Sequence, residues 1–163
     1  GAEVELTEVY ERNHRLKRVL DPLRDNYDYI FIDCPPSLGL LTLNALTASD
    51  KIIVPIQAEY YALEGVSQLM ETVNLVRASL NPDLELLGVV VTMYDKRTQL
   101  SQPVREEVEN FFKGKCCKTA IPRNVRISEA PGFGQTIHEF ARISKGAISY
   151  GKLANEFLER TEG

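Results

Sequence analysis

Apolar positions follow two periods along the chain. From Ala2 to Leu23 they recur every three or four residues (Val4, Leu6, Val9, Tyr10, Leu16, Val19, Leu20, Leu23) with Glu and Arg between them, which predicts a helix with a break near Asn13–His14. The run Ile30–Phe31–Ile32 is short and continuous, as in a parallel strand covered on both faces, and it predicts a buried strand ending at Asp33. Pro35 and Pro36 have no N–H to donate and stop it. Ser37 predicts a cap for a helix through Leu38, Leu40, Leu41, Leu43 and Leu46 to Ala48. Lys51 to Ile56 reads as a second buried strand with Pro55 at its exit, followed by a loop over 57–61. A long helix runs from Ala62 to Leu80, stopped by Asn81–Pro82. Leu84 to Met93 forms a third strand. Residues 99–113 form a basic amphipathic helix with Val104, Val108, Phe111 and Phe112 inward, and Lys118 to Pro122 a short fourth strand. A last helix starts near Ser144 and carries Ala147, Ile148, Tyr150, Leu153, Ala154, Phe157 and Leu158. This alternation predicts an α/β fold, a doubly wound, mostly parallel sheet flanked by helices, with right-handed crossovers.

Composition fits that picture. A chain of 163 residues at 44% hydrophobic content is long enough for a substantial core, and residues 1–163 read as a single domain. The longest apolar run, near Leu86 to Met93, is strand-sized and far short of the roughly 20 residues that span a bilayer. Cys34, Cys116 and Cys117 show no metal-ligand spacing, and an odd count with two adjacent residues makes a poor disulfide framework. A reducing cytoplasm is the expected setting.

Charge adds an asymmetry. Residues 1–95 hold 7 basic against 15 acidic side chains, whereas residues 96–126 hold 8 (Lys96, Arg97, Arg105, Lys113, Lys115, Lys118, Arg123, Arg126) against 3. A basic segment in an acidic chain is either a phosphate-binding face or a solvated helix face. Asp33, at the carboxyl end of a predicted buried strand, stands where open α/β sheets place ligands. It has two readings: a group that orients nucleotide-bound Mg²⁺, which needs oxygen ligands or fixed waters, or a cap on the following turn.

Several stretches together resemble one family. Residues 27–46 (Tyr-Asp-Tyr-Ile-Phe-Ile-Asp-Cys-Pro-Pro-Ser-Leu-Gly onward) resemble the Walker B region of the ParA/Soj chromosome- and plasmid-partitioning ATPases. So do Val54–Gly65, Thr92–Thr98 and Ile121–Pro131, and the ending Ser144-Lys145-Gly146-Ala147 also fits. The resemblance runs through essentially the whole chain in the family's order. It implies a P-loop NTPase-like fold with the first strand and the P-loop missing. The family's Gly-rich phosphate loop with two lysines has no counterpart here, since Gly132-Phe133-Gly134 lacks the Lys and Ser/Thr of a phosphate cradle. The expectation is therefore a C-terminal portion of a ParA-like protein, with ATP hydrolysis belonging to the intact protein rather than to this portion alone.

Carried over residue by residue, the resemblance gives Asp33 the Walker B role of orienting Mg²⁺ through a water. Met93 and Pro122 flank the adenine of ATP, with Asn124 nearby; a thioether and a proline ring suit a flat base, and both also suit core packing. Arg97 and Arg126 fall where the family contacts DNA without sequence preference, with Lys96 beside them. Arg105 and Lys113 are weaker candidates. The implied function is an ATP-dependent homodimer, cytoplasmic and nucleoid-associated, released from DNA when a ParB-like centromere-binding partner stimulates hydrolysis. Two alternatives stand beside it. One is a non-enzymatic interaction protein on the same fold. The other is a MinD-like membrane-associated ATPase, whose basic amphipathic tail is not matched by Leu153–Gly163, with three Glu and one Arg, so no stable membrane binding is expected.

Overall fold

Strand β1 (Lys51–Gln57) alternates strictly, burying Val54 and Ile56 and exposing Lys51, Pro55 and Gln57. That is the period of a strand with one covered face. Pro55 is tolerated because β1 pairs on one side only among the described residues, so its missing N–H breaks no second ladder. In this computed structural model, which describes Leu6 and residues 11–35 and 37–162, the other strand is β2 (Glu85–Thr92), buried continuously from Leu87 to Val91. The two run parallel, with Glu85 N–H donating to Asp50 O at 3.0 Å and Ala58 N–H to Thr92 O at 2.9 Å. On the far edge of β2, Val89 bridges Cys116 and Tyr94 bridges Pro122, both in parallel. The predicted fourth strand therefore exists only as two isolated bridges, with residues 118–120 bulging between them.

The described helices are α1 (Arg15–Leu20), α2 (Leu40–Ala48), α3 (Ala62–Ser79), α4 (Ser101–Phe111), α5 (Val125–Glu129), α6 (Ile137–Phe140) and α7 (Lys145–Glu162), with 3-10 turns at Arg12–His14, Asp21–Asn26 and Ala130–Phe133. The predicted break at Asn13–His14 is where a 3-10 turn gives way to α1. The predicted helical positions before residue 11 lie outside the described residues except Leu6. The last helix begins near Ser144 as expected, and Ser144 Oγ accepts from Ala147 N–H at 3.1 Å.

The chain clusters into two compact units, Gly1–Ile52 with Ser67–Glu85, and Ile53–Val66 with Leu86–Gly163. In the first, Leu46, Val73, Val76 and Leu84 form the core, with Leu43, Ile52, Leu69, Met70 and Leu80 against them. Buried Asn81 serves that core by donating to the carbonyls of Leu46 (3.0 Å) and Ser49 (2.7 Å), groups that the end of α2 leaves without helical partners. In the second unit Val90, Cys117 and Ile121 pack with Ile127 and Leu153.

Three expectations are corrected. The segment 28–35 is irregular and mostly exposed, with Ile32 half-buried, and belongs to no ladder among the described residues, so Asp33 does not end a buried strand. An apolar run reports a demand for cover, but a strand exists only where a neighbour supplies hydrogen bonds. Ser37 is not the cap of α2, whose N-cap is Gly39; the Ser37 carbonyl instead accepts from the Thr42 hydroxyl. Phe111 faces out. Val104, Val108 and Phe112 lie four residues apart on the buried face, and Phe111, one residue off that stripe, is 53% exposed and packs edge-on with Phe112 at a centroid distance of 4.8 Å.

Candidate functional site

The carboxyl end of β2 gathers most of the residues singled out above. Past Thr92 the backbone of Met93 turns to φ 52°, a left-handed conformation uncommon outside glycine. The cause is a register break. Tyr94 resumes the ladder, donating to Ile121 O at 3.0 Å and accepting from Arg123 N–H at 3.2 Å, with Met93 as the extra residue before it. The break brings Met93, 40% exposed, and half-buried Pro122 to one edge. A flexible thioether and a proline ring are thus both partly open to solvent at that edge. Asn124 follows as N-cap of α5, its Oδ1 accepting from Arg126 N–H at 2.9 Å. Gly146 packs so tightly on this turn that an added Cβ would sit 2.7 Å from Ile127 Cγ1 and 3.3 Å from Asn124 Nδ2. Asn124 is thus held as a structural cap beside the edge.

The same exit lifts the basic residues into solvent. Arg97 is 88% exposed, yet its Nε and Nη2 donate to the two oxygens of Asp95 at 3.0 and 2.8 Å, and its backbone N–H donates to Oδ1 at 3.0 Å. These hydrogen bonds, helped by the charge of Arg97, push the Asp95 carboxyl down to about 2. The turn is further stapled by Thr98 Oγ1 donating to Asp95 O and by the Tyr94 hydroxyl donating to Gln102 at 2.6 Å. A guanidinium carries five donors and the carboxylate takes two, so Arg97 is both held upright and still able to meet a phosphate. Lys96 is exposed beside it. Arg126 is held similarly, donating to Glu129 at 3.0 Å with its guanidinium 5.9 Å over the Phe140 ring. Arg105 is committed elsewhere, donating to Glu109 at 2.7 Å and to Lys118 O at 3.0 Å and lying over the Tyr94 ring.

Asp33 belongs to the first unit and is exposed on an irregular segment next to exposed Cys34. Among the described residues no three His, Cys, Asp or Glu side chains cluster as a metal site. Nucleotide-bound Mg²⁺ needs only one or two carboxylates in addition to phosphate and water, a demand that a single reachable carboxylate meets. Pro36, the second proline of the turn after Asp33, lies outside the described residues. Asp95 and Glu129 were not singled out by sequence reasoning. Their only signal is an acid two or three residues from each arginine, a spacing too common to stand out.

A family model described as an AAA domain matches residues 1–86. The chain is 57% identical over 156 residues to the sporulation initiation inhibitor protein Soj of Bacillus subtilis, covering 96% of this chain and 62% of that protein. It is 52% identical over 160 residues to the chromosome partitioning protein ParA of Myxococcus xanthus, covering 98% of this chain and 56% of that protein. It therefore spans about six-tenths of the length of these relatives. Among solved structures, the cobyrinic acid a,c-diamide synthase of Mycobacterium smegmatis with bound ADP and magnesium matches all of this chain and 59% of its own, at 39% identity and a TM-score of 0.81. The fold is that of the P-loop NTPases, α/β with a parallel sheet flanked by helices. No described helix is long and apolar enough to cross a membrane.

Proposed function

Since this chain belongs to the AAA-domain family, with Soj and ParA proteins among its relatives, we propose that it is part of a ParA-type ATPase of chromosome or plasmid partitioning. The observation that carries this reading is the exit of β2. There left-handed Met93 and Pro122 share one edge, and the next turn presents Lys96 and Arg97 to solvent. In the intact protein Met93 and Pro122 flank the adenine of ATP, and Asn124 holds the adjoining turn. Asp33 orients Mg²⁺ through a water. Magnesium, when bound, supplies neutralisation of phosphate charge, on which phosphoryl transfer depends. Two copies associate when ATP is bound, and Lys96, Arg97 and Arg126 meet DNA phosphates irrespective of sequence. Hydrolysis, stimulated by a ParB-like centromere-binding partner, ends that association with DNA, and the cycle takes place on the nucleoid in the cytoplasm.

Binding of the full-length protein to random-sequence DNA, measured with and without ATP across a salt series, tests the reading. ATP should strengthen binding. The double substitution Arg97→Ala, Arg126→Ala should weaken it at every sequence and lower the salt slope by about two, one for each phosphate that an arginine no longer neutralises. ATP affinity should be unchanged in that variant. Equal DNA binding by wild type and variant at moderate salt would overturn the role of these arginines, and DNA binding indifferent to ATP would overturn the cycle.

A further inference from the structure

The strand edge that carries Pro122 is out of regular register. Cys117 N–H donates to Val89 O and Ile121 N–H donates to Val91 O, so four residues of one segment run against two of β2. A regular parallel ladder would place Thr119 where Ile121 sits. The two surplus residues fall within 118–120, and the amides of Lys118 and Thr119 are met from the last helix. Glu156 of α7 accepts Lys118 N–H on Oε1 at 2.8 Å and Thr119 N–H on Oε2 at 3.0 Å. Arg160, one turn further along, donates to Glu156 Oε1 at 3.0 Å, to Leu87 O at 3.2 Å, to Lys115 O at 3.3 Å and to Cys116 O at 3.0 Å. One guanidinium thus bridges β2 and the incoming segment at the point where the register departs.

Two further observations fit a built device. Gly88 of β2 leaves room for the guanidinium, since a Cβ there would lie 3.2 Å from Arg160 Nη1 and 3.2 Å from Cys117 Sγ. Both charges are largely withdrawn from water, with side chains 11% (Glu156) and 22% (Arg160) exposed. Burial alone would raise the Glu156 carboxyl. The amides of Lys118 and Thr119 and the Arg160 guanidinium outweigh it and hold the carboxyl below its ordinary value.

We propose that Glu156 and Arg160 are positioning residues for base recognition: they hold the widened register that puts Pro122, and with it the Asn124 turn, beside Met93. The role rests on the nucleotide-binding reading above. Given the widened register, the path onward to Pro122 is set, because Ile121 is buried and both its N–H and its C=O are taken by Val91 and Tyr94. Without the clasp, residues 118–120 are free to slip toward the regular register, which draws Pro122 away from the edge.

The test is competition binding to the full-length protein in Mg²⁺, with a fluorescent methylanthraniloyl-ATP displaced either by ATP or by inorganic tripolyphosphate, which has no base. Glu156→Gln replaces one acceptor oxygen with a donor facing an amide. It should weaken ATP on the order of tenfold, the worth of one charge-assisted hydrogen bond, and leave tripolyphosphate unchanged. Arg160→Lys, a gentler change that keeps the charge and removes the fork, should give the same pattern at smaller amplitude. Equal loss for both competitors would mean general damage and overturn the proposal, as would wild-type ATP affinity in both variants. Failure of the wild type to bind ATP would instead overturn the nucleotide reading itself.

Discussion

Ile30–Phe31–Ile32 and Val89–Val90–Val91 are equally apolar triplets, yet Phe31 is 74% exposed while Val89 is fully buried. The second triplet lies in β2, with β1 paired on one edge and the bridged segment from Cys116 to Pro122 on the other. The first belongs to no ladder among the described residues. Hydrophobicity alone therefore does not make a strand. It makes a segment that gains by being covered, and backbone pairing decides whether cover is found.

Amide exchange sharpens the contrast most. Val89, Cys117 and Ile121 N–H groups are ladder donors within a packed core and should exchange only through large openings. Ile30 and Ile32 should exchange near the rate of unstructured peptide, with protection close to zero. Protection at Ile30 and Ile32 matching that of β2 would erase the difference between the two regions.

Truncation gives the next largest effect. Leu84, fully buried just before β2, packs with Leu46, Val73 and Val76, and Leu84→Ala should cost about 2–5 kcal/mol through reduced burial and a residual cavity. Phe31→Ala should cost less than about 1 kcal/mol, because that ring is already largely in water. Urea midpoints at unchanged slope measure both, and comparable losses would show that the exposed segment is packed in solution.

The same contrast explains what was legible in the sequence. Periodicity located β1, β2, α3, α4 and α7 because each is covered by residues whose own pattern demands it. The run around Phe31 misleads because apolar residues in series carry no information about ladder partners. The left-handed turn at Met93 left no mark, since it comes from a register break between two segments nearly thirty residues apart. Pro122, Arg97 and Arg126 are singled out by resemblance alone, and the structure adds what resemblance omits: the carboxylates that hold each arginine. Glu156 and Arg160 looked like ordinary surface charges of an acidic helix end. Their role depends on backbone groups of Leu87 and residues 115–119, which no spacing within the helix reveals.

The smallest effect concerns the turn after β2, where the ladder gives way to side-chain bonds in water. Asp95 should titrate at about 2, below its ordinary 3.8, because hydrogen bonds from the Arg97 side chain and backbone favour the carboxylate. Above about pH 5 the carboxylate is ionised in both folded and unfolded chains, and its contribution to stability is fully present. As pH falls from about 5 toward 2, the unfolded chain takes up the proton first, and the contribution is lost. The geometry that holds Arg97 should thus be constant across neutral pH and come apart only in strong acid. Carbon-detected NMR of the Asp95 carboxyl reads the midpoint directly. Because Arg97 is exposed while Asp95 is half-buried, added salt should raise that midpoint slightly through screened charge but not restore 3.8 while the hydrogen bonds persist. A midpoint at 3.8 in low salt would mean that Arg97 swings free, leaving the turn no more ordered than the segment around Phe31.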